Sequence, residues 1–311
     1  MKKLTYLASA ILAAVGFSSA ANADIAISGS ADVAYVDAGG NATSMNGGGI
    51  SFALSTTTDA GVSITASGGI SNDNDSSGDD SAATGLTKLT FGFSNGSLSI
   101  GDDVGIPDGT GKVGELVSWA DTNQTTLTYE GSIGDDEGSG ASFSTAMGDM
   151  SIALSYYWDG ASAGDVDGAT ATGSGISVSM PLGGASLTAA TAQAESGSTT
   201  MNDSGVALSY AVGGGTLGLG YNVVAGDTAD DEAESIGLSY STTVGSASVA
   251  IGYQTHDGSS NTGQTTDVTV SQSLGGGASI WAEIRSVSGT RSAETASTSD
   301  TVFAVGSSVS F

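Results

Sequence analysis

The chain contains no cysteine among its 311 residues, so disulfide bonds, thiol nucleophiles and thiolate metal sites are all excluded. Histidine is nearly absent as well. His256 is the only one, and we expect it to be exposed on the surface, where a strand enters a polar loop. Histidine is the commonest general base and a common zinc ligand, and no nucleophile with a neighbouring base is evident. We therefore expect that the protein is not an enzyme.

Basic residues are scarce. Six Lys and Arg stand against 33 Asp and Glu, which gives a net charge of −27. This balance excludes nucleic acid as a partner, because affinity for phosphate comes from Lys and Arg. The negative charge favours contact with cations instead.

Long apolar runs are missing outside the N-terminus. There, Lys2 and Lys3 precede an apolar run that ends in Ala21-Asn22-Ala23, the pattern of a secretory signal peptide. The run is shorter than the roughly 20 residues of a membrane-spanning helix, so an anchor fits less well. We predict that residues 1–23 are cleaved and that residues 24–311 form one barrel domain. Without Lys2 and Lys3, four basic residues face 33 acidic ones, a net charge of −29.

Glycine is abundant, with 49 residues, and composition alone would suggest low complexity or disorder. Periodicity argues otherwise. Apolar residues recur at every second position, as in Leu217, Leu219 and Tyr221, which is the period of a β-strand. Short glycine-rich connections, such as Gly213 to Gly215, alternate with long acidic ones. The predicted long loops are Asp37 to Gly48, Ser71 to Gly85, Asp159 to Ala171, Asp227 to Glu232, His256 to Gln264 and Ser288 to Asp300.

This two-ended layout is typical of an outer-membrane β-barrel, which needs an even number of strands. About 17 candidate strands are present, and the doubtful pair is 123–130 and 141–146. Mid-strand charges fall on the polar phase, so we expect Lys88 and Arg285 to face the lumen and Leu89 and Ile284 to face lipid. A soluble sandwich would exclude charges from its core in the same way. Aromatic residues near strand ends are predicted to form interfacial girdles: Tyr156, Tyr157, Trp158, Tyr210 and Tyr240.

Three segments resemble the general, non-specific porins of Gram-negative bacteria, especially the compact alphaproteobacterial trimeric type: Ser51 to Ala66, Thr87 to Asp102 and Val302 to Phe311. The resemblance implies an all-β fold, a transmembrane antiparallel β-barrel of 16 strands with an inward-folded third loop. It also implies a homotrimer in outer-membrane lipid that passes small hydrophilic solutes. The terminal Phe311, with Val309 and Phe303 in phase, is similar to the family's C-terminal assembly signal.

The resemblance places the pore constriction in a loop that runs from Asp102 to about Asn123. The family sets acids of this loop against a basic cluster on the opposite wall, but here only Lys88 and Arg285 have the lumenal phase. Acids outnumber bases, so we predict a cation-preferring pore. The predicted constriction residues are Asp103, Asp108, Lys112, Glu115, Asp121, Lys88, Arg285, Glu283 and Asp32.

One acidic loop begins like a calcium-binding EF-hand, with Asp73, Asp75 and Gly78 at the first, third and sixth positions. Thr84 stands where that motif requires Glu, and no helices flank the loop. Looser binding of Ca²⁺ by Asp73, Asp75 and Asp79 stays open, and no other cofactor is expected. The alternative function is a non-conducting outer-membrane barrel or a secreted β-rich structural or interaction protein with acidic, calcium-binding loops.

Overall fold

A computed structural model describes residues 24–38, 41–74, 84–101, 138–160, 171–196, 199–227, 232–258, 261–291 and 297–311. Sixteen strands form one closed antiparallel barrel. They are β1 (Asp24–Ala38), β2 (Asn41–Thr57), β3 (Ser63–Asn74), β4 (Thr84–Phe93), β5 (Gly96–Gly101), β6 (Gly138–Met147), β7 (Met150–Gly160), β8 (Ala171–Leu182), β9 (Ala185–Ser196), β10 (Thr199–Val212), β11 (Gly215–Gly226), β12 (Ala233–Val244), β13 (Ala247–Gly258), β14 (Asn261–Gly275), β15 (Ala278–Arg291) and β16 (Ser297–Ser310).

Every strand pairs with its neighbours in the chain, and β1 closes the ring by pairing with β16. One edge of the barrel, the turn rim, carries the start of β1 at Asp24 and the end of β16 at Ser310. It also carries the short connections 58–62, 94–95, 148–149, 183–184, 213–214, 245–246 and 276–277. The opposite edge, the loop rim, carries the connections 39–40, 75–83, 102–137, 161–170, 197–198, 227–232, 259–260 and 292–296. The third connection at the loop rim therefore joins β5 to β6.

The tight turns depend on glycine. Gly213 and Gly214, with φ of 60° and 81°, form the two-residue connection between β10 and β11. Positive φ at both central residues is the geometry that matches the twist of a β-hairpin, and glycine adopts it without a steric cost. The predicted short connections are confirmed at this rim.

Several predicted long loops are wrong in their extent. The predicted loop 37–48 is mostly strand, because β1 continues to Ala38 and β2 begins at Asn41. The predicted loop 256–264 likewise reduces to residues 259–260. Backbone pairing continues where both faces are polar, and alternation of apolar residues cannot reveal such extensions. The predicted loops 71–85 and 288–300 are also shortened, whereas 159–171 and 227–232 agree closely with the strand ends.

The doubtful strand pair is partly resolved. The predicted strand 141–146 is part of β6, which pairs directly with β5 from Gly96 opposite Thr145 to Gly101 opposite Gly140. The predicted strand 123–130 lies outside the described residues, as does the predicted signal peptide.

The two faces of the wall differ as the alternation predicted. Ile284 is 51% exposed and Leu89 is 37% exposed on the outer face, whereas Arg285 is buried on the lumenal face and Lys88 is half-buried there. The outer face thus presents a broad band of exposed Leu, Ile, Val, Phe and Tyr, which a water-soluble protein would bury. A single closed layer also excludes the two-layer sandwich. No helix within the described residues is long and apolar enough to cross a membrane.

Aromatic side chains edge this band. Tyr240 lies near the turn rim, where its hydroxyl oxygen is 3.5 Å from the carbonyl oxygens of both Val212 and Gly213. Towards the loop rim, the rings of Tyr156 and Trp158 face outward with their centroids 6.3 Å apart. Tyr157 was predicted in the same girdle, and that prediction is wrong. It is fully buried on the lumenal face, because neighbours of outward residues must point inward.

Candidate functional site

Three ionisable side chains meet on the lumenal face of β14 and β15. Asp267 and Arg285 are directly opposed in the strand register, and Glu283 lies two residues from Arg285 on the same face. The Nε atom of Arg285 lies 2.9 Å from Oδ1 of Asp267 and 3.4 Å from Oε1 of Glu283. These residues form the lumenal ion cluster, and all three side chains are at least nine-tenths buried.

The cluster changes the interpretation of Arg285. Its predicted lumenal position is confirmed, but its guanidinium is bound by two carboxylates of its own wall. Sequence reasoning missed Asp267, although it alternates with the outward Val268. Its place beside Arg285 is set by the register between two strands, which neither strand shows alone.

Lys88 and Asp32 face the lumen elsewhere. Lys88 on β4 is opposed by Ser67 and Gly101, and Asp32 on β1 is exposed and lies opposite Gly47 and Ser308. The structure therefore brings Glu283 and Arg285 together but leaves Lys88 and Asp32 on other strands.

The remaining predicted constriction residues lie outside the described residues: Asp103, Asp108, Lys112, Glu115 and Asp121. Asp75 and Asp79 of the predicted calcium loop also lie outside the described residues. Asp73 belongs to β3, where its backbone pairs with Gly47. In the part of the chain that the structure describes, no group of three or more His, Asp or Glu residues is placed to hold a metal ion.

His256 is not the exposed surface residue that the sequence predicted. It is 8% exposed on the lumenal face of β13, and its Nδ1 lies 3.0 Å from the hydroxyl oxygen of Ser235. Asn222, Ser235 and His256 are consecutive cross-strand neighbours in one row of the wall. The error arose because β13 continues to Gly258, past the point where the sequence turns polar.

The lumenal face also carries large aromatic side chains that sequence reasoning did not identify. Tyr157 packs against Ala192 and Ala194, and its ring covers Gly173 on the neighbouring strand. Trp281 covers Gly306 in the same manner and packs against Val302 and Ala304. A side-chain-free glycine opposite each ring provides the space it occupies.

The two sides of the lumen differ in exposure. Ser28, Ser30 and Asp32 on β1 are exposed. Asp203 on β10 has no exposed area and Glu283 on β15 only 2%. Lumenal side chains are therefore exposed on the turn-rim half of β1 and buried at these positions of β10 and β15.

The three residues of the predicted assembly signal lie on the outer face of β16 or directly after it. Phe303, Val309 and Phe311 are all exposed and in phase. This placement agrees with the alternation from which they were grouped.

The fold is shared with solved porins. OmpF of Salmonella typhi, in complex with daunomycin, is similar with a TM-score of 0.73 and 14% identity over 92% of this chain and 97% of that one. A mutant of the Rh. blastica porin matches with a TM-score of 0.67 and 17% identity over 93% and 100%. The trimer form of OmpT from Vibrio cholerae, described as an outer membrane protein, matches with a TM-score of 0.67 and 12% identity over 93% and 99%.

No curated protein sequence matches the chain. The sequence model of the Gram-negative porins does match, over residues 8–292, and so spans most of the 16 strands. Family and fold together place the protein in the outer membrane of a Gram-negative cell. The chain belongs to the Gram-negative porin family.

Proposed function

We propose that this outer-membrane porin is a passive, cation-preferring channel for small hydrophilic solutes and ions. The observation that carries the ion preference is the state of Arg285. Arg285 is already bound by Asp267 and Glu283, so the cluster as a whole has an excess of negative charge. Asp32 and Asp203 add lumenal carboxylates on other strands. Carboxylates that line a pore attract cations and repel anions.

We also propose that the third connection at the loop rim, residues 102–137, provides the inward-folded constriction. Its place between β5 and β6 supports this assignment, as does the resemblance to porins narrowed by their third loop. The near-complete burial of Asp203 and Glu283, on the inner face of a wall one strand thick, supports a lumen that is narrowed on this side.

The proposed assembly is a homotrimer in outer-membrane lipid. The similarity to a Vibrio cholerae porin in a trimer form supports it. Mass measurement of the detergent-solubilised protein after mild cross-linking tests the assembly. Three copies are expected, and a monomer that persists at high protein concentration would contradict it.

Planar-bilayer recording tests the function. Stable ohmic current steps are expected, and a protein that inserts but never conducts would favour the alternative of a non-conducting structural barrel. Under a KCl gradient the reversal potential should show cation preference. That preference should decline as salt rises, because the Debye length falls from about 10 Å at 0.1 M to about 3 Å at 1 M. Anion preference in the unmodified channel would overturn the proposal.

Two sets of variants test which residues produce the cation preference. Neutral replacement of Asp103, Asp108 and Glu115 together should weaken it if these loop acids line the constriction. Arg285→Gln removes a positive charge and should strengthen it in the channels that still fold. An unchanged reversal potential in the triple variant would remove these acids from the constriction.

Loose Ca²⁺ binding by Asp73, Asp75 and Asp79 stays a separate prediction. Equilibrium dialysis against ⁴⁵Ca²⁺ tests it, with the three residues replaced by Asn in the control. Equal retention by both proteins would contradict it.

A further inference from the structure

A pocket of about 650 Å³ opens in the lumenal wall at the turn rim. It spans β10 to β14, and the turn Gly213–Gly215 forms one edge. Six hydroxyl groups line its lumenal face, and they belong to Thr216, Ser241, Thr243, Ser248, Thr269 and Ser271. None of the described residues that line the pocket is charged. Thr269 is the lining residue farthest from the turn rim on β14. It lies directly opposite Glu283, so the pocket borders the lumenal ion cluster.

All of these hydroxyls except that of Thr269 face another one across the strands. Thr216 is opposed by Ser241, and Ser248 is opposed by both Thr243 and Ser271. At other lumenal positions, hydroxyls in this relation bond each other. Thr90 and Ser99 do so at 2.9 Å, and Ser179 and Thr188 at 3.0 Å. Within the described part of the chain, the pocket hydroxyls make no such bond, so their donors and acceptors are directed to whatever fills the lumen.

Exposure supports the same conclusion. Thr216, Ser241, Thr243 and Ser248 are exposed, although lumenal positions farther from the turn rim on the same strands, such as Asn222 and Ser235, are buried. A solute can therefore reach these hydroxyls without rearrangement of the wall.

The geometry points to a weak binding site at the turn rim for neutral polyhydroxylated solutes, such as monosaccharides and disaccharides. A hydroxyl group both donates and accepts hydrogen bonds, which matches the hydroxyls of a sugar ring. The lack of charge gives no advantage to ions over neutral molecules. An open pocket lined by neutral groups holds a solute briefly, which suits a channel that must also release it. This inference rests on the proposed function, because a solute must enter the lumen to reach the pocket.

Single-channel recording in KCl, with sucrose or glucose added on the turn-rim side, tests the site. The ion current should fall in a saturable manner as sugar is added. Gluconate, which carries a carboxylate, should block more weakly, because the lumenal ion cluster beside the pocket has an excess of negative charge. In the double variant Thr216→Val and Ser241→Ala, the half-saturating sugar concentration should rise about thirtyfold, the factor expected for two neutral hydrogen bonds of ordinary net strength.

The matched control is the double variant Thr90→Val and Ser99→Ala. It removes one lumenal hydroxyl pair of the same chemistry, but one in which the two groups bond each other. Its half-saturating concentration should equal that of the unmodified channel. A current that falls linearly with sugar, and equally in the unmodified channel and both double variants, would overturn the site. Normal KCl conductance in the same recordings would leave the proposed function intact. Equal block by gluconate would overturn the preference for neutral solutes.

Discussion

The ring of Phe311 lies over Gly29 across the seam where β16 meets β1. The two residues also exchange both backbone hydrogen bonds of an antiparallel pair, each at 3.0 Å. A Cβ atom built on Gly29 would collide with the ring. At this seam an aromatic ring therefore packs over a glycine on the neighbouring strand. Tyr157 packs over Gly173 and Trp281 over Gly306 in the same way.

Gly29→Ala should destabilise the closed barrel, because the added methyl group occupies the seat of the Phe311 ring. Because the ring of Phe311 is 76% exposed and can turn away, the cost should lie at or below the low end of the about 1–3 kcal/mol of overpacking a core. The measurement is the temperature at which the folded band converts to the unfolded band in a detergent gel. Ser28→Ala, on the exposed lumenal neighbour, should leave that temperature unchanged. Equal temperatures for both variants would contradict the role of Gly29.

Deletion of Phe311 should reduce the amount of protein in the outer membrane more than it alters the channels that do assemble. The deletion removes the ring together with both backbone hydrogen bonds to Gly29. Quantitative blotting of outer-membrane fractions measures the loss, and single-channel conductance measures the remainder. Phe311→Tyr keeps the ring and should restore near-normal levels. Normal levels of the truncated protein would contradict the prediction.

The period of two in the sequence predicted which face each strand residue occupies. Ile284 and Arg285, or Leu89 and Lys88, are adjacent and point to opposite sides, as a pleated strand requires. The partner of Arg285 could not be predicted in this way. Whether Asp267 faces Arg285 or a residue two places away depends on the register of the β14–β15 hairpin, which is set by its turn and by the register shift between Ser273 and Gly275.

Strand ends were the other feature beyond the reach of the sequence. Apolar alternation reports the part of a strand that contacts lipid, but strands continue beyond that band as hydrogen-bonded polar ladders. His256 was misplaced for this reason, since it lies in such an extension. Outward carboxylates such as Glu234 and Asp257 occur on these extensions too, opposite each other at the loop rim.

Arg285→Met should destabilise the barrel strongly, because it leaves Asp267 and Glu283 buried without their cation. Removal of one partner of a buried ion pair costs about 3–5 kcal/mol. Urea unfolding in detergent or lipid, followed by tryptophan fluorescence, measures the loss. Adding Asp267→Asn and Glu283→Gln to Arg285→Met should recover part of the stability. A triple variant no more stable than Arg285→Met would argue against the ion cluster as the cause.

Leu89→Lys should be far more damaging than Thr90→Lys, although the two positions are adjacent. Leu89 faces outward, where a charge near the middle of the bilayer costs about 2–4 kcal/mol. Thr90 faces the lumen, where the added ammonium is hydrated and only the hydrogen bond to Ser99 is lost. Folding yield in phospholipid vesicles compares them. Equal yields would contradict the lipid-facing position of Leu89, and a lower yield for Thr90→Lys would mean that β4 is in the opposite register.

The strands of the wall are long enough that their pairing does not depend on the connections at the loop rim. β1 and β2 alone are aligned by 15 paired positions, from Asp24 opposite Ser55 to Ala38 opposite Asn41. That alignment does not depend on the two residues that join them. Connections at this rim range from 39–40 to 102–137 on the same regular wall. Insertions and deletions there leave the strand pairing intact, so the surface that the cell shows to phages, antibodies and neighbouring cells can diverge quickly while the channel beneath it keeps its shape.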